Sequence, residues 1–255
     1  MYITNAQVTD GFGSQFQSIL SVIFVCWDEE KEFVYSPLFR IQHNYTNDPD
    51  FMDKLENVMN LKNNFVNIDQ LTEEERSLVE RKDDHHYKKK IDACIEQFLT
   101  PDSLKKMRDI FWANKDRNVF KNGKVNVAIH IRRPNHLDEE LLEEQNKHFG
   151  IGYRFHTDQY FLTGIKHLRE QYPPGQVLFH IYSQKNARSN FNAFNAPDIV
   201  LHIDEDVGDS FVQMVAADVL ITSASSLSYV AGWLSEGIVF SCPFWHTPLP
   251  NWVKT

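Results

Sequence analysis

Between Val125 and Ile131, apolar Val125, Val127, Ile129 and Ile131 alternate with Asn126, small Ala128 and His130. That period-two pattern predicts a buried β-strand over 125–131. It ends on a pair of arginines, Arg132 and Arg133. Downstream the pattern switches regularly between periods. It predicts helices over 158–172, 187–194, 210–217 and 226–235. It predicts strands over 176–182, 199–203, 219–222 and a final one over 238–241. Pro173-Pro174-Gly175 stops the first of those helices, and 134–156 reads as a polar loop. Such alternation implies a parallel sheet with helical crossovers.

The first part of the chain reads differently. A strand over 2–8 runs into the turn Asp10-Gly11-Phe12-Gly13-Ser14, which opens a helix over 15–29. A short strand follows over 33–35. Helices are predicted over 50–61, 72–80, 87–99 and 101–114, the last capped by Asp102 or Ser103. A boundary near 116–124 divides the chain into a helix-rich N-terminal domain, 1–120, and a C-terminal domain, 121–255. The expected fold class is α/β, with the parallel sheet in the C-terminal half and a cleft between the halves.

Charge narrows the range of partners. The 255 residues carry a net charge of −9, with 42% hydrophobic and 13% aromatic content. No basic stripe dominates, which argues against a nucleic-acid partner. Lys88-Lys89-Lys90 reads as a solvated helix face. In so acidic a chain, two arginines at a strand end form a local positive site. The three cysteines, Cys26, Cys94 and Cys242, are scattered in apolar surroundings and read as buried free thiols of a reducing compartment. No spacing suggests zinc. Without a signal-peptide pattern, and with the apolar run 18–27 too short to span a bilayer, the expectation is a cytoplasmic protein with no integral membrane contact. On that footing the sequon Asn44-Tyr45-Thr46 is a chance match.

Three motifs carry candidate chemistry. In Asp10-Gly11-Phe12-Gly13-Ser14-Gln15, two glycines at a strand-to-helix turn allow close backbone approach, and a helix N-terminus favours an anion. A plain tight turn explains the same residues, and the third glycine of a dinucleotide fingerprint is missing. In His130-Ile131-Arg132-Arg133, His130 and Arg132 share one face of the strand. Guanidinium forks suit phosphate oxygens, and ligands of open α/β sheets gather at the carboxyl ends of strands. The plain alternative is a pair of surface ion pairs. In 219–229, a buried strand enters Thr222-Ser223-Ala224-Ser225-Ser226-Leu227-Ser228 and then an apolar helix. Ser225 or Ser226 caps that helix. The functional reading adds an anion received by hydroxyls and free N–H groups.

Together these segments resemble the fucosyltransferase superfamily, which includes α1,2-, α1,6- and protein O-fucosyltransferases. Gly11-Phe-Gly-Ser-Gln-Phe-Gln is similar to its N-terminal glycine turn, His130-Ile-Arg-Arg-Pro-Asn135 to its HxRRxD motif, and Ser223-Ala-Ser-Ser-Leu-Ser to its SxSSxS helix start. The family aspartate is Asn135 here. The resemblance implies a GT-B-like fold of two Rossmann-like domains. It also implies an inverting, metal-independent glycosyltransferase with no cofactor, which moves a sugar from a nucleotide-sugar donor to a glycan or glycoprotein acceptor. GDP-fucose is the favoured donor, and a UDP-sugar such as UDP-xylose is the alternative.

In such an enzyme Arg132 neutralises the leaving diphosphate, with Arg133 structural or supporting it from behind. Ser223, Ser225 and Ser226 hold the other phosphate face. Asp10 is the candidate base, against Gly11, Phe12, Gly13 and Gln15. Asp138, Glu139 and Glu140 are its alternatives. Asp204-Glu205-Asp206 matches the metal-binding DxD of another glycosyltransferase class. At the end of a late strand, Asp204 and Asp206 read instead as ribose or base contacts, with Tyr182 and Ser183 as further candidates. A methyltransferase lacks its acidic ribose ligand here. A non-catalytic glycan- or nucleotide-binding module would explain Asn135.

Overall fold

The computed structural model describes residues 2–44, 47–134, 154–185 and 190–255. The chain forms two compact units. One comprises 1–116 with 246–250, and the other 117–245 with 251–255.

The first unit is built on helix α1, Phe12–Asp28, of which 14 residues are buried. Its apolar residues surround the axis, as expected of a helix enclosed by its domain. Three short strands, β1 (Tyr2–Thr4), β3 (Glu32–Val34) and β5 (Val79–Arg81), make a parallel sheet in the order β3-β1-β5. The first strand is shorter than its apolar pattern predicts. Asn5 ends it by exchanging two bonds with Ser36: Nδ2 donates to the Ser36 carbonyl at 2.9 Å and Oδ1 accepts its N–H at 3.0 Å. The chain then forms β2 (Thr9–Asp10), paired in parallel with β4 (Arg40–Ile41). Helices α2 (Phe51–Met59), α3 (Glu73–Ser77), α4 (Asp84–Ala93), α5 (Ile95–Phe98) and α6 (Pro101–Trp112) complete the unit.

Several expectations fail here for physical reasons. The 72–80 helix stops at Ser77, because Val79–Arg81 pairs with β1. The 87–99 helix breaks at Cys94, whose backbone is non-helical, and that thiol is exposed. Thr100, not Asp102 or Ser103, caps α6, because Pro101 occupies the first helical position and holds the residue before it extended. The three lysines are not one solvated face. Lys88 is buried and its Nζ donates to Ser14 Oγ at 3.1 Å, while Lys90 pairs with Glu29.

The second unit holds six parallel strands: β6 (Val125–His130), β7 (Val177–Ser183), β8 (Ile199–Ile203), β9 (Val219–Ile221), β10 (Ile238–Ser241) and β11 (Val253–Lys254). Their spatial order is β11-β10-β9-β6-β7-β8. Counted from β6, this is the doubly wound Rossmann order 3-2-1-4-5-6. The last strand, β11, is additional to those predicted. Helix α7 (Asp158–Gln171) covers one face: Phe161, Ile165 and Leu168 meet Val127, Ile129, Ile131, Phe179 and Ile181 in a continuous core. Each fully buried side chain of this size stabilises the unit by roughly 1.5–3 kcal/mol. The predicted 187–194 helix reduces to a 3-10 turn at Asn192–Phe194 within the described residues. Helices α8 (Val207–Ala216) and α9 (Ser226–Leu234) precede β9 and β10.

The sheet's other face buries polar groups among apolar ones such as Ala128, Leu220 and Val239. Asn126, His130, His180 and Tyr182 point that way and are buried. Tyr182 Oη donates to Gln213 Oε1 at 2.7 Å, and its ring stacks on His202 at 4.7 Å. His180 bridges His202 at 3.0 Å and Asn126 Oδ1 at 3.2 Å. Burial and the neighbouring His202 lower the His180 pKa to about 4.

Candidate functional site

The strand order of the second unit reverses between β6 and β9. Ligands of doubly wound sheets bind in the crevice outside the carboxyl ends at such a point. Here β6 ends on His130 and β9 leads into the serine turn, and side chains join the two. His130 Nδ1 lies 2.9 Å from Ser223 Oγ and 3.0 Å from Ser228 Oγ. Ser228 Oγ also accepts the Ser223 N–H at 3.2 Å. Ser225 caps α9, its Oγ accepting from the Leu227 N–H at 3.4 Å, and half-buried Ser226 opens the first turn.

These bonds fix the state of the imidazole. Burial, aided by the Arg132 charge, pushes the His130 pKa down to about 3, so the ring is neutral. The buried Ser223 hydroxyl has His130 Nδ1 as its acceptor among the described residues. A hydroxyl left without an acceptor would be costly at that depth. Nδ1 therefore accepts, and the ring proton sits on Nε2, where His130 is a neutral donor. Ser228 was not singled out in the sequence. A serine inside an apolar helix reads as a bystander, and its only signal is the SxSSxS spacing.

The two arginines differ. Half-buried Arg132 stands beside His130. Arg133 is buried, pairs with Asp158 in the first turn of α7, and lies 5.4 Å from the Phe191 ring. It anchors that helix. Tyr182 and Ser183 also serve the fold: the tyrosine is buried, and Ser183 Oγ donates to the Ile131 carbonyl at 2.7 Å. The Asp204-Glu205-Asp206 carboxylates turn to separate local partners. Asp204 Oδ1 accepts the Lys185 N–H at 2.8 Å, Glu205 meets His202 at 2.8 Å, and Asp206 caps α8 through the N–H groups of Gly208 and Asp209. Among the described residues no group of three or more metal-ligating side chains comes together.

In the first unit the glycine turn is also an ordered local structure. Asp10 is exposed and its Oδ1 accepts the Gly11 N–H at 2.7 Å. Gly11 is the N-cap of α1 and supplies no side-chain cap, while Phe12 and Gly13 lie buried in the first turn. A Cβ at Gly11 would come 3.0 Å from His43 Cδ2, so the imidazole packs on this backbone. Gln15 Nε2 donates to the Asp10 carbonyl at 2.8 Å and the Arg40 carbonyl at 2.7 Å, clamping β2 to β4. Asn135, Asp138, Glu139 and Glu140 lie outside the described residues, as do Tyr45 and Thr46 of the sequon.

No family model and no curated protein matches the chain. Among solved structures, a fucosyltransferase NodZ from Bradyrhizobium aligns with 92% of this chain and 93% of its own, at 11% identity and a TM-score of 0.45. The E. coli heptosyltransferase WaaC, solved with ADP, aligns with 95% of this chain and 88% of its own, at 8% identity and a TM-score of 0.46. The glycotransferase of kitacinnamycin aligns at 10% identity, with 98% and 81% coverage and a TM-score of 0.32. These likenesses are distant. Among the described residues no helix is long and apolar enough to cross a membrane.

Proposed function

We propose that the protein is a glycosyltransferase whose second unit binds a nucleotide-diphosphate sugar, GDP-fucose by preference. The observation that carries this reading is the junction of HxRR and the serine turn. His130 bonds both Ser223 and Ser228 at the reversal point of a Rossmann-ordered sheet. A guanidinium, a neutral imidazole donor and a capped helix start gather where a diphosphate would lie.

The chemistry follows. An acceptor hydroxyl attacks the anomeric carbon from the side opposite the diphosphate. The C–O bond to the phosphate breaks, and the bonding pair leaves with the diphosphate. Arg132, His130 Nε2–H and the first amides of α9 stabilise that growing charge. Fixed donors of this kind are worth about 3–4 kcal/mol each in related settings. The acceptor proton passes to a carboxylate, for which Asp10 is the candidate. The fixed positive groups make a divalent ion unnecessary in this scheme. Asp204 turns one oxygen to one backbone amide, and Asp206 turns one oxygen to two. Their remaining oxygens suit ribose hydroxyls or guanine N–H groups.

A ligand that binds only the folded state raises stability by RT ln(1 + [L]/Kd), about 2.7 kcal/mol at a hundredfold excess over Kd. The melting temperature of the protein is expected to rise clearly with GDP and little with UDP. The reverse ranking would replace the fucosyl donor with a UDP-sugar, xylosyl first. No shift with either would remove the nucleotide-sugar reading.

A further inference from the structure

A nucleotide sugar is linear, so a diphosphate centred at β6 and β9 sends its nucleoside one way along the carboxyl edge and its sugar the other. The β7–β8 side presents Asp204 and Asp206, whose carboxylates match nucleoside hydroxyls and N–H groups. Beyond β10 the chain reads Cys242-Pro243-Phe244-Trp245, with no charged side chain. Trp245 is 59% exposed, the largest of the exposed apolar side chains among the described residues.

This exposed indole is held from behind. Tyr229 lies one turn into α9, its N–H donating to the carbonyl of the cap Ser225 at 3.1 Å. The Phe244 ring packs 5.8 Å from Tyr229, and Trp245 packs 4.3 Å from Phe244. The Arg154 guanidinium sits 5.3 Å from the centre of the Trp245 ring. An aromatic column thus runs from the helix that opens with the serine turn out to an indole clamped by a cation. We propose that Trp245 is the platform on which the donor's sugar ring stacks, a subsite that rests on the nucleotide-sugar reading above. The π face carries negative charge density. It attracts the positively polarised C–H groups on the apolar face of a pyranose, whose hydroxyls point outward to water. A tryptophan that merely ended the column would affect nucleotides with and without a sugar alike.

Calorimetry on the full chain tests this with GDP against GDP-fucose and UDP against UDP-xylose. Trp245→Ala is expected to weaken the sugar nucleotide at least about fivefold while its nucleoside diphosphate stays within about twofold of wild type, a selective loss near 1 kcal/mol. Trp245→Phe, which keeps a π face, should recover most of the loss. Unchanged diphosphate binding in each variant also shows that the unit is folded. A wild type that binds GDP or UDP, together with a Trp245→Ala variant that keeps the wild-type preference, overturns the subsite alone. Equal weakening of both ligands overturns it too. A wild type that binds no nucleotide removes the proposed function, and the subsite with it.

Discussion

The Asp158 carboxylate and the Phe191 ring hold Arg133, whereas Arg132 stands beside His130 at the end of β6. Arg132→Ala is therefore expected to reduce transfer roughly 10²–10³-fold with an unchanged melting curve, and Arg132→Lys to recover little, because a point charge does not replace a fork. Asp10→Asn should keep nucleotide binding and lose transfer. Near-normal turnover in either alanine or asparagine variant rejects that residue's role. The buried histidines make a separate prediction. His130 and His180 are held near 3 and 4, below the unfolded value of about 6.5. Between those limits the unfolded chain binds more protons, so stability is full above pH 6.5 and declines as pH falls towards the folded values. Urea midpoints should drop steadily from pH 6.5 to 5, and less so in His180→Gln. A flat midpoint over that range would contradict the neutral, buried state. His130 and Arg132 were legible because an alternating strand fixes which side chains share a face. The different roles of the two arginines were an expectation of the sequence, but the partner that holds Arg133, Asp158, lies 25 positions away and was not legible.

At the scale of elements, helices with strong local signals were placed well and short strands poorly. The helix expected from residue 72 does start there, and in the structure a Thr72/Glu75 capping box holds its first turn. Its end is set by Val79–Arg81 pairing with β1, a partner remote in sequence that overrides an acidic, helix-prone run. The strand β11 escaped notice because two paired residues leave no periodic trace. What precedes it is specific. A Cβ at Gly232 in α9 would lie 2.6 Å from Trp252 Cζ2, so the indole seats on bare helix backbone. Gly232→Ala should cost about 1–3 kcal/mol by overpacking. Trp252→Leu in the same chain should restore part of that. Denaturation midpoints that ignore Gly232→Ala would show that the indole moves aside freely.

For the molecule as a whole, alternation of strand and helix after residue 124 already implied the parallel sheet. The order 3-2-1-4-5-6, and with it the meeting of His130 and Ser223, needed the tertiary structure. The cysteines follow environment rather than sequence context. Burial pushes Cys26 up to about 12 and Cys242 to about 11, while Cys94 is exposed. If the fixed arginine, imidazole and helix start supply the positive field, transfer should persist in excess chelator. Loss of activity that manganese restores would return the DxD segment to the centre of the mechanism.

Residues 246–250 belong with the first unit, where His246 Nδ1 meets Asp92 at 2.8 Å and Thr247 bonds the same residue through both its N–H and its hydroxyl. On the ribosome, the main body of that unit ends at residue 116, yet its last piece is made about 130 residues later. At roughly 5–20 residues per second, the growing chain waits on the order of ten seconds with Asp92 unclaimed. The second unit is interrupted in turn, since Trp252 and β11 emerge only after that piece. Neither unit can finish folding until residues 246–255 have been made, so the two are completed late and nearly together.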